Sequence, residues 1–162
     1  MTIFAITGHR PEQLDDIEWV REALANVFKE ENPETIYQGM AAGVDMLSAM
    51  VAHDLSIPYI AARPWAGHAP RVADKELYNW VLKHAKEVIE VDPDYDYAGV
   101  WVYHNRNKYM VDKSDKLIAV WNGRLEGGTA ACVKYAKQKH KEIIQINPIT
   151  KEIIYPQSPA LF

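Results

Sequence analysis

The stretch Asp115-Lys-Leu-Ile-Ala-Val-Trp-Asn-Gly-Arg-Leu-Glu-Gly-Gly-Thr-Ala-Ala-Cys-Val-Lys-Tyr-Ala136 decides the fold. Its run Leu117-Ile-Ala-Val-Trp121 is continuously apolar, the pattern of a strand covered on both faces, and it stops at the turn dipeptide Asn122-Gly123. Gly127-Gly128 then lets the backbone come close to another group, and Thr129 stands where a helix begins. Free N–H groups and the positive end of the helix dipole at such a start attract an anion, phosphate among them. The same residues also suit a plain tight turn capped by Thr129, so an anion site and a simple turn are both open at this point.

The order of strand, glycine turn and helix recurs upstream. Thr2-Ile-Phe-Ala-Ile6 is a short apolar run ending in Thr7-Gly8-His9-Arg10-Pro11. In open α/β sheets ligands sit beyond the carboxyl ends of the strands, where Gly8 permits close approach and Arg10 offers a fork of donors, with His9 between them. Thr35-Ile-Tyr-Gln38 runs into Gly39-Met-Ala-Ala-Gly43-Val-Asp45, and a helix carrying Leu47, Met50, Val51 and Leu55 on one stripe follows. Asp45, in the first turn of that helix, either caps it or serves a ligand, accepting from a sugar hydroxyl or acting as a base.

The remaining segments continue the alternation. Asp15 to Glu31 places Ile17, Val20, Leu24, Val27 and Phe28 on one helical face, with Asp15 and Glu18 spaced as a capping box and Asn32-Pro33 as the stop. Ile57-Pro-Tyr-Ile-Ala-Ala62 predicts the third strand, ending in a loop with Arg63, Trp65 and His68; Trp65 either stacks on a base or closes the core. A helix is expected from about Val72 to Ala85, in which His84 is a packed or solvated residue, and then a strand Glu87–Val91. After the acidic, aromatic loop Asp92 to Gly99 comes a helix over 100–114 whose Arg106 and Asn107 are expected to face the ligand crevice. Glu142-Ile-Ile-Gln-Ile146 is a buried strand, and Lys151-Glu-Ile-Ile-Tyr155 an edge hairpin partner.

Composition sets the bounds. With 162 residues, 48% of them hydrophobic, the chain has the size of one domain with a real core, spanning 1–162. A net charge of −4 argues against a broad nucleic-acid footprint. A single cysteine, Cys132, forms no internal disulfide, no apolar run approaches the roughly 20 residues of a membrane span, and no secretory signal is visible, so a cytoplasmic protein is expected. No metal ligands and no cofactor are expected; a homo-oligomer is left open.

Four motifs taken together, Thr7-Gly8-His9-Arg10-Pro11, Gly39-Met-Ala-Ala-Gly43-Val-Asp45, Arg106-Asn-Lys-Tyr-Met-Val-Asp112-Lys-Ser114-Asp115, and Trp121-Asn-Gly123 with Gly127-Gly-Thr129, resemble the SLOG superfamily and within it the DUF1273 group of YpsA-like proteins. The resemblance covers nearly the whole chain. It implies a three-layer Rossmann-like α/β fold, a mainly parallel sheet with helices on both faces, and a pocket for a nucleotide or nucleotide-derived ligand lined by Gly8, His9, Arg10, Gly39, Gly43, Asp45, Arg63, Trp65, Arg106, Asn107, Asp112, Gly127, Gly128 and Thr129. Related families include the DNA-processing protein A domain and the Lonely Guy phosphoribohydrolases, a breadth from which no activity follows. Lonely Guy enzymes carry Pro-Gly-Gly-x-Gly-Thr-x-x-Glu with a catalytic glutamate. Laying that Gly-Thr on Gly128-Thr129 puts Cys132 at the glutamate position, and a neutral thiol does no acid/base work. The first expectation is therefore a nucleotide-type binder or sensor. An N-glycosidic hydrolase with Asp45 as its carboxylate is the alternative, and a nucleic-acid module a weaker one.

Overall fold

The computed structural model describes residues 2–10, 14–69 and 74–156; Pro11 of the first motif and the expected start of a helix at Val72 lie outside them. Among the described residues the elements are β1 (Ile3–Gly8), α1 (Ile17–Glu31), β2 (Thr35–Gln38), α2 (Val44–Asp54), β3 (Tyr59–Arg63), α3 (Lys75–His84), β4 (Glu87–Glu90), α4 (Trp101–Lys113), β5 (Lys116–Val120), α5 (Gly128–Gln138), β6 (Glu142–Asn147) and β7 (Glu152–Ile154). They build one seven-stranded sheet in the order β4-β3-β2-β1-β5-β6-β7. Strands β1 to β6 pair in parallel, and β7 closes the edge antiparallel to β6 as a hairpin partner.

Pleating sends alternate side chains to opposite faces, and each face meets its own helices. Phe4, Ile6, Ile36, Ile118, Val120 and Ile144 pack with Val20, Leu24, Val27 and Phe28 of α1, Leu47 and Val51 of α2, and Val81 of α3. On the other face Ala5, Leu117 and Ala119 meet Met110 and Val111 of α4 and Cys132, Val133 and Ala136 of α5. This is a three-layer, Rossmann-like arrangement, as the continuously apolar strand runs imply.

Two local expectations change. Helix α1 is capped by Asp16 rather than Asp15: the Asp16 carboxylate accepts from the Trp19 N–H at 3.1 Å and also meets the Lys151 ammonium at 3.0 Å. Asp15 precedes the cap, so the Asp15–Glu18 box does not form. The helix then ends at Asn32, whose backbone is left-handed (φ 46°) and donates to the Phe28 carbonyl.

Gly8 explains how α2 packs against β1. A Cβ at this position would lie 2.5 Å from a Val44 methyl, so β1 and the first residue of α2 touch directly. Val44 is β-branched and stiff at χ1, and it cannot swing aside. Gly8→Ala should therefore destabilise the fold by about 1–3 kcal/mol through overpacking. Urea unfolding should show Val44→Ala recovering part of that loss in the double variant; strictly additive losses would mean the two positions do not share the space.

Candidate functional site

Strand order reverses its direction of growth between β1 and β5, and in such sheets the crevice beyond the carboxyl ends of those two strands is where ligands bind. The loops on either side are tied together there. The Asn122 backbone N–H, just past β5, donates to His9 Nε2, just past β1, at 3.0 Å, and His9 is buried. Arg10 is exposed at the same end of β1.

Two helices start at this edge with glycine turns, and their starts differ. Helix α2 begins after Gly43 (φ 91°), and its Val44 N–H points to the His9 carbonyl at 3.4 Å. Helix α5 begins after Gly127 (φ 96°) with no side-chain cap, so the reading of a turn capped by Thr129 does not hold. A Cβ built on Gly127 or Gly128 meets nothing within 4 Å. Among the described residues, the space beside these two glycines is therefore open.

The β2 end is a clamp. The loop after Gln38 folds back on itself: Gln38 Oε1 accepts from the Met40 N–H at 2.7 Å, and one Asp45 oxygen accepts from the N–H groups of Gly39 at 3.2 Å and Ala41 at 3.1 Å. Arg106, reaching across from α4, donates to the Gly39 carbonyl and through Nε to Asn107 at 2.9 Å. A Cβ on Gly39 would sit 2.7 Å from Arg106 Cδ, so this glycine makes room for the guanidinium. Asp45 and Arg106 are both buried. Burial raises the Asp45 pKa although Arg106 and the two N–H groups pull it down, and burial lowers that of Arg106 against the opposing charge of Asp45.

At the β3 end the polar groups serve a roof of aromatic rings. Arg63 donates to the Tyr78 hydroxyl at 3.2 Å and to the His68 carbonyl at 2.6 Å, and faces Glu90 at 3.8 Å. Trp65 is buried against His68, Tyr97 and Tyr103, with ring centroids 5.0, 6.2 and 5.8 Å away. Burial and the charges of Arg106 and Arg63 push the His68 pKa down to about 4, which keeps its ring neutral.

Of the residues singled out from sequence, Gly8, His9, Arg10, Gly43, Gly127, Gly128 and Thr129 gather around the crevice, while Gly39, Asp45, Arg106 and Asn107 form the clamp beside it. Arg63 and Trp65 belong to the roof. Asp112 stands apart, in the last turn of α4, accepting from the Tyr135 hydroxyl at 2.8 Å. Cys132 is buried beside Thr7, and desolvation drives its thiol up to about 11. Sequence reading passed over Gln38, Tyr78 and Tyr97; only the density of aromatics near strand ends hinted at the roof.

The family model described as the YspA SLOG family (YpsA) matches residues 4–153, nearly all of the chain. The chain belongs to the YpsA SLOG family. UPF0398 protein YpsA of Bacillus subtilis (strain 168) is 24% identical over 159 residues, covering 88% of each chain. Among solved structures, DNA processing protein A from Helicobacter pylori, described in its single-stranded DNA binding mode, matches with a TM-score of 0.68 at 18% identity over 98% of this chain and 67% of that one. The molybdenum cofactor carrier protein of Chlamydomonas reinhardtii matches with a TM-score of 0.58 at 16% identity, over 89% and 75% of the two chains. At these identities the structural likeness concerns the fold. Among the described residues of this YpsA-family chain, no helix is long and apolar enough to cross a membrane.

The clamp has a pH signature. Removing the guanidinium leaves Asp45 buried without its opposing charge, so Arg106→Met should cost on the order of 3–5 kcal/mol near neutral pH. A carboxylate whose folded pKa is raised binds protons more readily when folded, so stability falls as pH rises from the ordinary carboxylate value of 3.8 through the folded value. Without Arg106 that folded value rises further. The deficit in urea midpoint should therefore shrink as pH is lowered, and a deficit unchanged between neutral and acid pH would separate Asp45 from Arg106.

Proposed function

We propose that the chain binds a nucleotide or nucleotide-derived small molecule in the crevice beyond β1 and β5, acting as a binder or sensor. The observation that carries this reading is the start of α5: a helix N-terminus at the switch point, uncapped by any side chain, with open space over Gly127 and Gly128. Arg10 on the facing loop supplies charge to the same phosphate. Membership of the SLOG family supports a nucleotide-derived ligand. Two proteins of similar fold, DNA processing protein A with its single-stranded DNA binding mode and the molybdenum cofactor carrier protein, are in keeping with it. The net charge of −4 counts against an extended nucleic acid in this chain.

Two residues weigh against N-glycosidic hydrolysis. Cys132 is an un-ionised thiol, with its pKa at about 11, where a Lonely Guy-like enzyme has its glutamate. The Asp45 carboxylate is turned onto its own loop, and the N–H groups of Gly39 and Ala41 occupy one of its oxygens.

The test is a thermal-shift panel of nucleoside mono-, di- and triphosphates and a short single-stranded oligonucleotide, with chromatography for released base. Stabilisation by a mononucleotide without base release is expected. Gly128→Val fits the fold, because a Cβ there meets nothing, and should abolish the shift. Arg10→Ala should weaken binding by about 1.5–3 kcal/mol, the usual worth of a charge-assisted bond. An unchanged shift in Gly128→Val would remove the α5 turn from the site, and base release that disappears in Asp45→Asn would establish the hydrolase instead.

A further inference from the structure

At the amino ends of the strands, opposite the crevice, helices α2 and α3 end side by side, and each carries a histidine in its last turn, His53 and His84. The two imidazole rings meet edge to face with centroids 4.9 Å apart. Trp80 backs both of them, stacked on His84 at 4.3 Å and edge-on to His53 at 4.9 Å. Both histidines are exposed and border a hollow of about 260 Å³.

The orientation of His84 is held by a backbone group. Its Nδ1 lies 2.8 Å from the Trp80 carbonyl, and a carbonyl only accepts, so in the neutral ring Nδ1 carries the hydrogen and Nε2 keeps its lone pair. Histidines that bind metals are commonly held this way, the far N–H given to a carbonyl or carboxylate while the other nitrogen faces the ion. Two helix C-termini converge here as well, and their negative dipole ends favour a cation and disfavour an anion.

We propose that His53 and His84 form a binding site for one late first-row divalent cation, the class that imidazole nitrogens prefer, with Zn²⁺ as the representative ion. Among the described residues no group of three or more His, Cys, Asp or Glu side chains gathers, so water completes the coordination and the affinity is modest. Lys86 lines the same hollow and opposes the cation. The site is remote from the nucleotide crevice and independent of that reading.

Calorimetric titration of the full chain with Zn²⁺ tests it. One ion per chain is expected, and His53→Ala and His84→Ala should each weaken binding at least roughly tenfold, a direct ligand costing no less than an outer-shell partner does, with His140→Ala as an indifferent control. Because both histidines are exposed, either variant should keep the thermal stability of the metal-free parent, and the two serve as checks on each other. Lys86→Ala should bind Zn²⁺ more tightly, whereas a hollow built for an anion would take up inorganic phosphate and lose it in the same variant. Unchanged Zn²⁺ affinity in either histidine variant, no measurable Zn²⁺ binding, or phosphate uptake that depends on Lys86 would overturn the proposal.

Discussion

Everything in this molecule depends on β1 being covered on all sides. Its Phe4, Ala5 and Ile6 are completely buried, and its backbone pairs with β2 on one side and β5 on the other. Its two neighbours pair its peptide groups, and because all three strands run parallel the connections between them are helices that cover both faces. The chain meets this by adding strands outward on one side, from β1 to β4, with α1, α2 and α3 on one face. It then returns through α4 on the other face to lay β5 against the free side of β1. Right-handed crossovers require the change of face when the direction of growth changes. The crevice between the loops after β1 and β5 is thus a consequence of how β1 is buried.

The long return through α4 needs an anchor, and the anchor is electrostatic. Arg106 projects from α4 into the loop after β2, passes over Gly39 where any side chain would block it, and donates to that residue's carbonyl. A buried guanidinium is costly unless its charge is answered, and Asp45 answers it while also gathering the N–H groups of Gly39 and Ala41. One carboxylate therefore shapes a glycine turn and compensates a helix crossing the sheet. The Arg106–Asn107 pair read from sequence as ligand-facing has this packing duty first.

Much of the fold was legible because buried parallel strands have a direct signature. Continuous apolar runs such as Leu117 to Val120 and the helical stripe of α1 specify their surroundings without reference to partners. What sequence spacing does not carry is the identity of the group that approaches. Gly8 and Gly39 read as places where the backbone comes close to a ligand, and the groups that approach them in the structure are the side chains of Val44 and Arg106. Adjacent acids at Asp15 and Asp16 both stand before a helix, and only backbone direction selects Asp16 as the cap. Asp112 lies in a motif with Arg106, but six residues of helix carry it to the far turn of α4, against Tyr135. His53 and His84 are separated by a whole strand and helix, and their pairing exists only because α2 and α3 end side by side.

Charge balance inside the clamp also bears on why a thiol stands at position 132. Asp45, Arg106 and Cys132 are close enough to influence one another's protonation, and all three are buried. Burial keeps the thiol neutral, so position 132 adds no charge beside Asp45 and Arg106. A glutamate at this position, as in the Lonely Guy motif laid on Gly128-Thr129, would bring a second buried carboxylate beside Asp45. Two such carboxylates raise one another's pKa. The Asp45–Arg106 arrangement, which anchors the return of α4, is therefore electrostatically matched to a side chain at position 132 that stays uncharged.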